Sequence, residues 1–265
     1  MTARRLNRLA LAALCMAAGG CTGWRSTPAL PARTSMVLDQ LVVFSDTPLP
    51  QHHRLLEELR AQRTLLSTKL GLPISDEPIH VYLFPTAEKL EAYMRVHYPA
   101  LPKRRAFFVE SDTRLNVYAY WGDRVAEDLR HEVAHGYLHA VVPNLPLWLD
   151  EGLAEYFEVP RGLDGVNRPH VEQLGSGLAG GWHPDLARLE QLRGEMTQAD
   201  YAESWAWTHF LLESSRERLQ ILQGYLQALA KSQTPAPLSE QLRRFNAQSQ
   251  QQLADHVAVL RQSLQ

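Results

Sequence analysis

The chain has 265 residues, 45% of them hydrophobic and 21% charged, with a formal charge of −2 when histidine is neutral. That balance is globular and excludes a disordered chain. There is no basic block and no strongly positive charge, so a nucleic-acid partner is not expected. The length suits one large domain or two small lobes.

Residues 1–20 read as a signal peptide. Arg4, Arg5 and Arg8 form a basic start, and an apolar run over residues 9–18 follows that is short for a membrane span. Ala18-Gly19-Gly20-Cys21 then resembles the lipobox of bacterial lipoprotein signal peptides, although Ala18 stands where that family usually has leucine. The resemblance implies cleavage before Cys21 and lipidation of its thiol, so that Cys21 anchors the protein to a membrane. Cys15 would leave with the signal, and the remaining single cysteine permits no intramolecular disulfide. Thr22 follows Cys21, and similarity to the sorting rule of enteric-type bacteria implies the outer membrane, on its periplasmic side. Residues 21–36, rich in Pro, Ser, Thr and Arg, are expected to be a tether. Residues 37–265 are then the folded part, an α/β lobe over 37–142 followed by a helical lobe over 143–265.

In chain order, the β-branched run at residues 41–44 predicts a strand. Apolar spacing over 52–70 predicts an amphipathic helix that stops at Gly71 and Pro73. Residues 79–84 form a second strand, and Thr86 can cap a helix that runs to about His97. Residues 106–110 and 115–121 read as a hairpin turned by Ser111-Asp112-Thr113. Helices are expected over 123–142 and 147–157, then loop through most of the Gly- and Pro-rich 158–185. The remainder is helical, most clearly over 201–213 and 219–231, with a last pair of helices after Pro235 and Pro237. The fold class is α+β, with a small mixed α/β lobe that carries the active-site helix and a mainly helical C-terminal lobe.

The chemistry concentrates in His131-Glu132-Val133-Ala134-His135, an HExxH sequence. Histidines at i and i+4 lie on one helix face, one turn apart, and can converge on one cation. Zinc accepts neutral imidazole in an open tetrahedral site, and Glu132 stands beside the first ligand as a general base. Fifteen residues after His135 comes Glu151, within Trp148-Leu149-Asp150-Glu151-Gly152-Leu153-Ala154-Glu155-Tyr156-Phe157. Pro143 and Pro146 allow this helix to fold back on the first, so that Glu151 supplies a third ligand. Glu155, one turn on, can accept the second N–H of a ligand histidine. The bland alternative for both acids is a solvated face, but the surrounding apolar residues argue that this helix is buried and its charges partnered.

HExxH followed by WLDEGLAEY resembles the gluzincin zinc peptidases, in particular the peptidase-MA-like group of bacterial secreted proteins and lipoproteins. The match is specific over 121–160 and looser over 78–230. The resemblance implies a zincin-like fold and one zinc ion held by His131, His135 and Glu151. It implies that Glu155 orients His131 and that Asp150, where the aminopeptidases commonly have Asn, stays off the metal. It also implies that Tyr201, at the position of a family tyrosine, donates to the developing oxyanion. The Lys-Gly of that family motif is absent, and Tyr201 reads equally well as a core aromatic at a helix start.

His139 continues the i+4 series but stands two turns from His131, too far to share its ion. His52, His53, His170, His183 and His209 lack ligand spacing, and Trp205, Trp207 and Phe210 read as core. The segment 115–121 is expected to be an edge strand beside the active helix, able to pair with an extended substrate. The clan's Gly-x-Met-Glu-Asn strand, which anchors a substrate amine in its aminopeptidases, is absent. Three function classes follow: a zinc peptidase acting on a peptide or protein, a zinc amidase acting on wall peptides, and a zinc-binding envelope lipoprotein without turnover. An intact Glu132 favours the enzymes.

Overall fold

The computed structural model describes residues 27–50 and 52–265. The expected signal peptide, Cys21 and the first part of the tether lie outside the described residues. The fold is α+β: a five-stranded mixed sheet with helices, followed by a mainly helical C-terminal part.

The sheet is built from β1 (Thr34–Leu38), β2 (Leu41–Ser45), β3 (Ile79–Phe84), β4 (Ala106–Ser111) and β5 (Arg114–Tyr120), in the order β1-β2-β3-β5-β4. β2, β3 and β5 run parallel, and β1 and β4 close the two edges antiparallel. The parallel pairs need crossovers. α1 (Arg54–Leu70) connects β2 to β3, and α2 (Ala87–His97) lies between β3 and the β4–β5 hairpin. Strand periodicity sorts the side chains by face. Ile79, Val81, Leu83, Val117 and Ala119 join the main core under α1 and α3 (Val125–His139), whereas Tyr82, Phe84 and Tyr118 pack with Leu90, Tyr93 and Met94 of α2.

α3 runs over the sheet and is followed by α4 (Leu147–Phe157), α5 (Arg168–Ala179), the short α6 (Leu186–Leu189), α7 (Gln198–Glu213), α8 (Arg216–Ala230), α9 (Leu238–Phe245) and α10 (Ser249–Ser263). α4 lies between α3 and α7. From Ala202 to Leu212 every residue of α7 is buried. Its buried residues include the polar Glu203, Ser204, Thr208 and His209, and Trp205, Trp207 and Phe210 are core residues as expected. Among the described residues no helix is long and apolar enough to cross a membrane.

Four expectations need correction. Thr34, Ser35 and Met36, assigned to the tether, begin β1, where pairing with β2 carries the strand back through the polar Thr34 and Ser35. Residues 168–179, assigned to loop, form α5, which Pro169 enters at its first turn. Its glycines do not break it, because Gly175 is buried and its carbonyl accepts from Arg261 of α10 at 2.6 Å. The expected edge strand, β5, is internal, and the edge beside α3 is β4. Thr86 precedes α2 but its side chain makes no capping bond to the helix backbone.

Candidate metal centre

α3 presents His131 and His135 from successive turns, and α4 returns antiparallel to bring Glu151 against them. His131 Nε2 and His135 Nε2 are 3.2 Å apart, and Glu151 Oε2 is 3.5 Å from the first and 3.7 Å from the second. A tetrahedral ion with ligands at 2.0–2.1 Å has ligand–ligand edges of about 3.3 Å. The three atoms therefore have the spacing of one face of such a site, and these residues could hold a metal ion.

The outer bonds strengthen that fit. His131 Nδ1 lies 3.0 Å from Glu158 Oε2, and His135 Nδ1 lies 2.8 Å from Asp150 Oδ1. A carboxylate accepts, so each Nδ1 carries a proton, and in the neutral imidazole Nε2 is the nitrogen open to a metal. In that tautomer two lone pairs and a carboxylate oxygen converge on one point, a charge pattern that a metal ion or protons on the imidazoles would satisfy. Burial pulls the His131 pKa down, but the carboxylates of Glu151 and Glu158 outweigh it and hold it well above the ordinary value. His135 is raised in the same way against burial by Asp150 and Glu151. Asp150 resists its burial through His135 and His139, which keep it well below the usual carboxylate range.

Glu132 opens into a cleft of about 240 Å³ together with His135, Asp150, Glu151, Arg104, Phe107 and Phe108. Burial raises its pKa, against the pull of both histidines. Tyr201, the fourth residue of α7, is half-buried, and its hydroxyl oxygen accepts from Arg104 Nη2 at 3.4 Å. Burial and the charge of Glu151 raise its pKa, so the phenol stays a donor.

Residues 125–236 match the family model described as a protein of unknown function (DUF1570). The matched segment holds His131, Glu132, His135, Glu151 and Tyr201 and leaves out the sheet. No curated protein matches the chain.

Glu155 does not take the position the resemblance implies. Its carboxylate accepts from His170 Nε2 at 2.8 Å and from Asn167 Nδ2 at 3.1 Å. The partner of His131 is Glu158, which follows the last residue of α4 and also accepts from Asn167 at 2.9 Å. Asn167 and His170 come from the start of α5, so an unforeseen helix draws Glu155 away from the metal face. His139 bonds Glu110 Oε2 at 2.6 Å through Nδ1 and Asp150 Oδ2 at 3.0 Å through Nε2. Burial lowers its pKa, but Asp150 and Glu110 lift it to about 9. With both nitrogens donating to carboxylates, it is an imidazolium and has no lone pair for a metal.

Asp150, Glu158, Asn167 and His170 were not foreseen as parts of the site. The signal for Asp150 was present: an acid in a helix that its apolar residues bury requires a partner. Asn167 and His170 had no local signal, because their roles depend on how α5 packs.

Proposed function

We propose that this chain is a zinc-dependent peptidase of the gluzincin kind, lipid-anchored through Cys21 at the bacterial envelope, with Glu132 as general base. The observation that carries this reading is the convergence of the Nε2 atoms of His131 and His135 and a Glu151 oxygen on one point, with Glu132 in the same cleft. A zinc ion held by His131, His135 and Glu151 would polarise a scissile carbonyl and acidify a water molecule.

The protein supplies the rest. Glu132 removes the proton from the attacking water and returns it to the leaving amine. Glu158 and Asp150 fix the tautomers and ring orientations of the two histidines. The free edge of β4 can pair with an extended peptide backbone, which would bring the peptide past Phe107 and Phe108 into the cleft. Tyr201 can donate to the oxygen on which charge develops.

The test is metal content and peptide cleavage by the soluble part, purified without chelator. Glu132→Ala is expected to keep its zinc and lose turnover, while His131→Ala loses both. A wild-type protein that binds no zinc would sink the proposal. For the anchor, Cys21→Ser should move the protein to the soluble fraction, and unchanged membrane association would refute lipidation.

A further inference from the structure

Three consecutive cations, Lys103, Arg104 and Arg105, line an open cleft that adjoins the metal cleft, and Arg104 lines both. The outer two are tied to carboxylates. Lys103 Nζ is 2.6 Å from Glu91 Oε1, on α2. Arg105 grips Asp128, in the first turn of α3, with Nη2 2.7 Å and Nε 2.9 Å from Oδ1. Asp128 is nearly buried, so this two-pronged pair fixes the loop to the active helix.

Arg104, between them, is different. Among the described residues no carboxylate lies within ion-pair distance of it, and its bond is the long one to the Tyr201 hydroxyl. It is exposed and lines the metal cleft beside Glu132 and Glu151. It also lines an adjoining open cleft of about 310 Å³, whose other charged residues are Lys103, Arg105 and Glu91. A guanidinium held on a pinned loop, with no anion of its own, is built to receive one.

We infer that Arg104 binds a carboxylate of the substrate, so that this site takes peptides with a negative charge next to the bond cleaved. This inference rests on the peptidase reading. The carboxylate is either an Asp or Glu side chain or the free C-terminus, and both present the same planar pair of oxygens to the guanidinium. An ion pair to an exposed guanidinium is worth roughly two- to fivefold in binding.

The experiment uses zinc-loaded protein and internally quenched peptides in matched pairs. One pair differs by Glu against Gln at each position flanking the cleaved bond, the other by a free C-terminal carboxylate against a carboxamide. The wild type is expected to favour the charged member by about two- to fivefold in kcat/KM, mostly through KM, and the pair that shows the preference identifies the source. Arg104→Gln should bring that ratio near one, and Arg104→Lys should keep part of it.

A wild-type ratio near one, or a ratio that survives Arg104→Gln, overturns the inference. The second result is expected if Arg104 only offsets the charge of Glu132, since both members of a pair would then change alike. Binding of the same peptides to zinc-loaded Glu132→Gln, read by fluorescence anisotropy, separates the two readings. Arg104-dependent preference for the charged peptide without any cleavage by the wild type keeps the anion site and removes the peptidase. Cleavage of both members at equal rates keeps the peptidase and removes the anion site.

Discussion

Gly152 sits in α4 directly after Glu151, where the helix crosses α7. A Cβ built there would stand 2.4 Å from Thr208 Oγ1 and 2.5 Å from the Ser204 carbonyl oxygen. The threonine can rotate, but the carbonyl is backbone of a helix buried over most of its length and cannot yield. An ordinary contact needs about 3.4 Å, so Gly152→Ala must push α4 away from α7 by about 1 Å. Overpacking of this kind costs about 1–3 kcal/mol, against a gain of up to about 1 kcal/mol in helix propensity. The net is a loss of stability and a fall in Tm of about 2–6 °C. The same shift carries Glu151 off a ligand position that tolerates about 0.2 Å, so zinc affinity should fall at least about tenfold. Gly224, in α8, is the control: nothing lies within 4 Å of its Cβ position, and Gly224→Ala should stabilise by about 0.5–1 kcal/mol. Calorimetry and competition with a chromophoric chelator read both quantities. A Gly152→Ala protein as stable as its parent, with unchanged zinc affinity, would refute the close-approach argument.

Two further outcomes are expected. Glu158→Gln removes the carboxylate that fixes the His131 tautomer and should lower zinc affinity about 10–100-fold, whereas Glu155→Gln should affect it less; the reverse order would show that Glu155 holds His131 after all. His209 is buried against His256, with 2.9 Å between Nδ1 and Nε2, and burial with the neighbouring His256 lowers its pKa from 6.5 to about 4. Between those values the unfolded chain binds the proton and the folded one does not, so stability rises with pH: the contribution is fully present above 6.5 and about 3 kcal/mol of it is lost as pH falls to 4. Denaturant midpoints of wild type and His209→Gln across this range check it; equal pH slopes would count against the buried neutral pair.

The parts legible in the sequence were those with a strong local signal. The strand at 79–84 and the helix at 147–157 match β3 and α4 residue for residue, because each is an apolar run bounded by proline or a polar turn. HExxH and the later Glu151 could be assembled from helix spacing and a proline turn, since both helices are short and adjacent. The failures have a common cause in tertiary packing. β1 begins with the polar Thr34 and Ser35, which join the strand through pairing with β2. α5 tolerates glycine because α10 packs over it. The choice between Glu155 and Glu158 as the partner of His131 is one of phase at a helix end, and α5 decides it by offering Asn167 and His170 to Glu155.

That same packing argues for a cation at the centre. Five carboxylates, Glu132, Asp150, Glu151, Glu155 and Glu158, are gathered around His131 and His135. Three of them each accept from two donors: Asp150 from His135 and His139, Glu155 from His170 and Asn167, and Glu158 from His131 and Asn167. These donors come from α3 and the start of α5. On the inner face Glu151 meets the Nε2 atoms of His131 and His135 at 3.5 and 3.7 Å. Protons on the imidazoles or a metal ion can satisfy that contact, and the raised pKa values of both histidines express the same demand for positive charge. A metal ion would take the place of those protons, and Glu158 and Asp150 already hold both rings in the orientation such an ion needs.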